Sequence, residues 1–259
     1  MRIVKLSVKS NIGDVITCME NKVATQNYHP LNSELGMETK LNAIVIGATG
    51  EVGKSIVKEL IKASQFAKVT LIVRRHLDLP ETDENYEKIE QKLVDFEKLS
   101  ESADAFKGHQ VGFSALGTTR SKAGADGFYR VDHDYVVESA KLTKEGGCQH
   151  FHLVSSGGAN KNSFFLYPKT KGQTEEDVSK LDFERLSIYR PGLLMVNREE
   201  KRTVESVLQA IAKVLDFGQW ASIDVLILAK AIVSNTFRPL MSGEKIEIVS
   251  NSDAIKMGK

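Results

Sequence analysis

The sequence predicts an α/β fold, a single doubly wound parallel sheet covered by helices on both faces, on three observations. The apolar run Leu41-Asn42-Ala43-Ile44-Val45-Ile46 leads directly into Gly47-Ala48-Thr49-Gly50-Glu51-Val52-Gly53. Ile56, Val57, Leu60 and Ile61 then follow with helical spacing, and Val69-Thr70-Leu71-Ile72-Val73 supplies a second buried strand. Strand and helix patterns keep alternating beyond that point, as a right-handed series of crossovers requires.

Each element has a local reason. Residues 1–40 are polar and weakly patterned and precede the first core strand, so they read as a flexible tail or a short docking helix outside the 41–259 domain. Within the glycine turn, Gly47 permits a tight reversal, Gly50 leaves no side chain over the space a phosphate would fill, and Gly53 lets the following helix pack closely. Such a strand, turn and helix is the Rossmann-like opening of a dinucleotide site, with a helix N-terminus facing the pyrophosphate. Arg74-Arg75 come about 20 residues later, where an NAD site usually carries an acid on the ribose hydroxyl. Two arginines there suit a phosphate on that hydroxyl and favour NADPH; a pair of solvated surface arginines is the alternative.

The charged stretch from Glu81 to Glu101 reads as a connection followed by a third strand through Leu93 and Val94, closing at Asp95-Phe96. Asp95 is placed either to accept from an adenine amino group or to cap a helix before Lys98. Val111 to Leu116 reads as the fourth strand, Tyr129 to Leu142 as a helix, Phe151 to Val154 as the fifth strand and Leu186 to Tyr189 as the sixth. The turn Leu116-Gly117-Thr118-Thr119 would let backbone approach the nicotinamide half of a cofactor, although a plain tight turn explains the glycine equally well. Val204 to Leu215 has apolar residues at helical spacing, and with Phe217 and Trp220 it completes a core or covers a cleft.

Composition narrows the function classes. The chain has 259 residues and a formal net charge of +1, so no broad basic field points to nucleic acid or to an anionic membrane. Cys18 and Cys148 are the only cysteines, too few for a disulfide framework, and they read as reduced thiols in an intracellular compartment. No apolar stretch reaches the roughly 18 residues of a membrane span. Arg2, Lys5 and Lys9 precede the first acid, a faint organelle-targeting pattern set aside in favour of a cytoplasmic protein. His150 and His152 alternate along the fifth strand and face one way, but no nearby acid or cysteine pair completes a metal site, and no metal is expected.

The chemistry is expected at the carboxyl ends of the strands. Ser155-Ser156 follow the fifth strand, and Tyr167-Pro168-Lys169-Thr170-Lys171 begins eleven residues after Ser156. A tyrosine and a lysine four apart share a helix face, about 6 Å between Cβ atoms. A phenol, ordinarily titrating near ~10, needs nearby cations to act as an acid or base at neutral pH, and Lys171 would supply one. The lysine can also hold ribose hydroxyls while a serine orients a substrate carbonyl. Pro168 suits a first helical turn. Thr174-Glu175-Glu176-Asp177 reads as a solvated face of the same helix, and Arg198 to Arg202 as a mixed-charge surface or a lid.

This constellation resembles the short-chain dehydrogenase/reductase superfamily. Arg74-Arg75, Val94 to Leu99, the run Leu116-Gly117-Thr118-Thr119-Arg120-Ser121-Lys122-Ala123-Gly124-Ala125, Val131 to Val136 and Arg190-Pro191-Gly192 are similar to one atypical group, the HIV Tat-interactive protein family of oxidoreductases, over residues 41–259. The resemblance implies an NADPH site formed by Thr49, Gly50, Glu51, Val52, Arg74, Arg75, Leu116, Gly117, Tyr167 and Lys171, with Leu194 and Arg202 contributing from beyond the sixth strand. It implies Tyr167 as proton donor or acceptor in reduction of a small-molecule carbonyl. It also implies an alternative class, a regulatory protein that senses NADPH, binds nuclear transport receptors, restrains growth or promotes cell death, and resides in the cytoplasm, the nucleus or the nuclear envelope. An NADP-dependent epimerase would use the same tyrosine and lysine. Val52 departs from the threonine usual in that loop, and the serines stand at a slightly unusual distance from Tyr167.

Overall fold

A computed structural model describes residues 40–79, 86–196, 222–240 and 243–259. The chain runs β1 (Leu41–Ile46), α1 (Glu51–Lys62), β2 (Phe66–Val73), β3 (Ile89–Leu93), a tight kinked helical segment (Phe96–Phe106), β4 (Val111–Ser114), α2 (Arg120–Tyr129), a wide π-type turn (Arg130–Asp134) and α3 (Tyr135–Glu145). It continues with β5 (His150–Val154), α4 (Leu166–Ser179), β6 (Arg185–Arg190), β7 (Leu194–Met195), β8 (Ile223–Asp224), α5 (Val225–Asn235), β9 (Ile246–Ser250) and α6 (Asn251–Gly258). Seven strands form one parallel sheet in the order β3-β2-β1-β4-β5-β6-β9. Chain order reverses between β1 and β4, so their carboxyl ends open the crevice in which doubly wound sheets take ligands.

Strand alternation divides the apolar residues between two cores. Ala43 and Val45 face Ile56, Leu60, Leu228 and Ile232 from α1 and α5, whereas Ile44 and Ile46 face Phe106, Val136, Ala140 and Val178 on the opposite side. The helix α1 buries Val52, Ile56, Val57, Leu60 and Ile61 along one stripe, with Glu51 in its first turn and Lys62 in its last complementing the helix dipole.

The fold class and six core strands agree with the sequence expectation, and the differences have local causes. The third strand ends at Leu93, because Val94 and Phe96 turn into the opposite core and Asp95 caps the next segment. The helix expected from Tyr129 begins at Arg120, bends at Gly124 and passes through the π-type turn before α3. The elements after residue 222 had no sequence reading. Here α5 is covered by α1 on one side and α6 on the other, so its apolar residues show no single stripe. Residues 1–39 and the Val204–Leu215 segment, with Phe217 and Trp220, lie outside the described residues. Among the described residues no helix is long and apolar enough to cross a membrane.

The sheet face under α5 holds a polar network. Buried Arg185 donates to Glu247 at 2.7 and 2.9 Å and to Asn235 Oδ1 at 3.2 Å. Ser187 gives its proton to Glu247, so His150 Nε2–H donates to Ser187 Oγ at 2.8 Å, and the buried His150 Nδ1 has no partner among the described residues. His152 lies 3.0 Å from the Tyr189 hydroxyl and 3.2 Å from that of Thr236, its ring 3.9 Å from the ring of His150. These histidines are hydrogen-bonded core residues. Among the described residues no three metal-ligating side chains converge.

Burial drives both imidazoles well below the ordinary histidine range, with the Arg185 cation adding to the effect. The folded state keeps them neutral while the unfolded chain binds protons below about pH 6.5, so stability is complete above that value and falls as pH drops beneath it. Urea unfolding at pH 5 should show up to about 2 kcal/mol less stability per imidazole than at pH 7.5. Equal midpoints at the two pH values would mean that the pair is solvated or charged in the fold.

Candidate active site

The glycine turn is built by contacts that exclude side chains. Gly47 lies at φ 88°, and a Cβ there would fall 2.6 Å from the backbone of Ala115 and Leu116. A Cβ on Gly53 would fall 2.1 Å from the Gly47 carbonyl oxygen. Gly50 differs, because its nearest neighbour would be 3.6 Å away, which leaves the space over the turn open. Gly50 is also the N-cap of α1 and provides no side-chain cap. Thr49 and Gly50 are exposed and Glu51 half-buried, whereas the Val52 side chain lies in the core and can offer a ligand only its backbone.

Arg74 and Arg75 stand exposed just past the end of β2, with no ion-pair partner among the described residues. Asp95 accepts the Glu97 amide at 2.9 Å, which is the capping alternative; its second oxygen faces no donor among the described residues. Ala115 and Leu116 follow β4 beside Gly47, and Gly117 comes next in the turn. Leu194 is half exposed on the short β7, paired with Ile223. Arg202 and the Arg198–Arg202 run lie outside the described residues.

The proton-transfer candidates meet on α4. Tyr167 is 48% exposed, its ring stacked on buried Phe128 at 5.6 Å. One turn on, Lys171 is 7% exposed and its Nζ lies 2.7 Å from Asp132 Oδ1. Asp132 is 1% exposed and accepts the Thr118 amide on its other oxygen at 2.7 Å. Burial alone would lower the lysine's proton affinity, but the Asp132 carboxylate, with smaller contributions from Tyr167 and Glu175, outweighs it and holds the ammonium above its usual range.

Two expectations change here. Thr174 and Glu175 are buried, not part of a solvated face. Thr174 bonds the Asp132 carbonyl at 2.8 Å, and Glu175 takes the Arg190 guanidinium in a two-point ion pair at 2.6 and 3.1 Å. Glu175 also accepts the Ser155 hydroxyl, so that serine is turned into the protein and is not available to a substrate carbonyl as a donor. Ser156 is buried as well, but its hydroxyl has no hydrogen-bond partner among the described residues, which leaves it as the serine able to donate. Asp132, Glu175 and Arg190 were not singled out as site residues from the sequence. Asp132 carried a signal, since Phe128, Asp132, Val136 and Ala140 are spaced four apart and an acid in an apolar ladder needs a buried partner.

With this geometry in view, the NAD(P)H-binding family profile matches residues 47–216. The chain is 45% identical to Protein HTATIP2 of Rattus norvegicus, across 88% of this chain and 93% of that protein. It is 36% identical to Protein fmp52, mitochondrial, of Aspergillus fumigatus, across 84% of this chain and 98% of the relative. Among solved structures it is similar in fold to MoeE5 in complex with UDP-glucuronic acid and NAD, at a TM-score of 0.62 and 16% identity, covering 81% of this chain and 75% of that one.

The unequal roles of the glycines are testable by stability. Gly53→Ala forces a Cβ onto the Gly47 carbonyl and should cost about 1 to 3 kcal/mol, as overpacking does. Gly50→Ala meets only ordinary contact and should cost less than about 1 kcal/mol. Urea denaturation of the two variants checks this order; a Gly50→Ala loss as large as that of Gly53→Ala would contradict the open space over the turn.

Proposed function

The chain belongs to the NAD(P)H-binding family, together with the HTATIP2 proteins, and on that premise we propose that it is an NADPH-dependent oxidoreductase reducing a carbonyl group of a small-molecule substrate. The observation that carries this reading is the exposed Tyr167 set beside a buried, charged Lys171 at the open end of the sheet, next to the Gly117 turn. The residues fit the cofactor: open space over Gly50, an N-cap at Gly50 with no side chain of its own, and two exposed arginines past β2 with no ion-pair partner among the described residues suit a pyrophosphate and a 2′-phosphate.

When bound, NADPH supplies the hydride. Tyr167 donates its phenolic proton to the substrate oxygen, and the Lys171 cation stabilises the phenolate left behind. Ser156 donates a hydrogen bond to the same oxygen and fixes its direction. Ser155 acts at one remove by holding Glu175, which in turn clamps Arg190 against α4. Phe128 limits the tilt of the Tyr167 ring. The proposed compartment is the cytoplasm with access to the nucleus, and imaging of the tagged full chain distinguishes this from the mitochondrion named for the fungal relative.

Replacing Arg74 and Arg75 together by alanine should remove the preference for NADPH over NADH. The loss per phosphate pairing is about 1.5 to 3 kcal/mol, roughly 10 to 150 fold in calorimetric affinity. Unmutated protein that binds both nucleotides equally would refute the assignment. Tyr167→Phe keeps the ring and its stacking, so NADPH should bind normally while turnover of a responsive carbonyl substrate falls by about 10² to 10⁴ fold. Undiminished turnover in that variant would remove Tyr167 from the reaction.

A further inference from the structure

We propose that Asp132 is a positioning residue of the proton-transfer site: its buried carboxylate ties the Lys171 ammonium to the Thr118 amide, keeping the lysine charged beside Tyr167 and the Gly117 turn in register with it. The proposal rests on the reading of Tyr167 and Lys171 given above.

Three features single out this carboxylate. It is 1% exposed on the apolar side of the π-type turn, between Phe128 and Val136, where an unpaired charge would be costly. Both of its oxygens are used, Oδ1 by Lys171 Nζ and Oδ2 by the Thr118 N–H, each at 2.7 Å. Its own carbonyl is held by Thr174 of α4, so the carboxylate is fixed from both ends. Gly117 belongs to the same arrangement: a Cβ there would fall 3.2 Å from Asp132 Oδ1 and 3.7 Å from Lys171 Nζ, crowding the pair.

The electrostatic consequence follows from burial. The titratable groups that raise the lysine's proton affinity are Asp132 from the π-type turn and Tyr167 and Glu175 from α4, and Glu175 is already paired with Arg190 of β6. Asp132 is therefore the counter-charge that offsets desolvation of the ammonium. An asparagine of nearly equal size keeps an acceptor for one neighbour and removes the charge. In such a variant burial dominates, and the lysine releases its proton at lower pH. The interaction also joins the turn after β4 to α4, two segments that are far apart in sequence.

The test uses the full chain. Lysine side-chain NMR follows Lys171 Nζ, assigned by its absence in the double variant D132N/K171M, which leaves no unpaired buried charge. In unmutated protein Lys171 should titrate above the ordinary lysine value of about 10.4, and in D132N about two pH units below that value. Calorimetry with NADPH at pH 7 and 9.5 gives a second readout: D132N should lose about tenfold more affinity than the parent over that interval, whereas D132N/K171M, with no lysine to titrate, should show no such extra loss. An unchanged Lys171 titration in D132N overturns the proposal, as does an alkaline loss that persists in the double variant. If D132N does not fold, the parent decides: a Lys171 titration below about 10.4 refutes the proposal and one above it supports it. Parent protein that binds no NADPH defeats the cofactor reading instead, and the NMR titrations still decide the role of Asp132.

Discussion

Three stretches of backbone converge at the carboxyl end of β1, closer than any side chain would permit. The Gly47 carbonyl meets the first turn of α1 at Gly53, while the Gly47 Cα meets the end of β4 at Ala115 and Leu116. Everything that defines the site hangs from this contact. It sets where α1 begins, and with it the direction in which the first-turn N–H groups point. It also sets where the β4 turn emerges, and that turn presents Gly117 and Thr118 to Asp132. Asp132 holds Lys171, and Lys171 lies one helical turn from Tyr167. A series of short contacts thus runs from the Gly47 turn to the helix that carries Tyr167.

The charged groups beneath Tyr167 are poor contributors to net stability, since desolvation offsets much of the attraction in a buried pair. Their value lies in geometry. Asp132 with Lys171, and Glu175 with Arg190 and Ser155, pin α4 to the π-type turn, to the end of β5 and to β6. The helix that carries the tyrosine is therefore held on three sides by directional interactions, which apolar packing alone would leave free to slide. The network of Arg185, Glu247, Asn235, His150 and His152 does comparable work on the opposite face, joining β5, β6 and β9 to α5.

Exposure distinguishes the two side chains that share a face of α4. Tyr167 is half exposed, with its ring stacked on Phe128. Lys171 is buried with its counter-ion Asp132. An ammonium in a low-dielectric setting acts on a neighbouring phenol more strongly than one in water, provided that it keeps its proton.

The fold class, the parallel order of the first strands, the glycine turn and the Tyr167–Lys171 pairing were legible in the sequence, because each depends on spacing within about a dozen residues: period two in a strand, period four on a helix, a glycine at a reversal. Arg74-Arg75 were legible for the same reason, being placed by the strand that precedes them. What the residues could not declare was which buried charges find each other. Ser155 and Ser156 look alike in sequence, yet it is Ser155 that is taken up by Glu175, from a helix that begins at Leu166. Glu175 lies in a polar run that suggests solvent until Arg190 of β6 arrives beside it. The elements after residue 222 were hidden by the same physics, since a helix covered on two sides and a short edge strand carry weak periodicity. Local spacing placed Tyr167 and Lys171 on one helix face, and only the tertiary structure supplied Asp132 as the counter-charge of Lys171, because desolvation and ion pairing depend on which distant segments the sheet brings together.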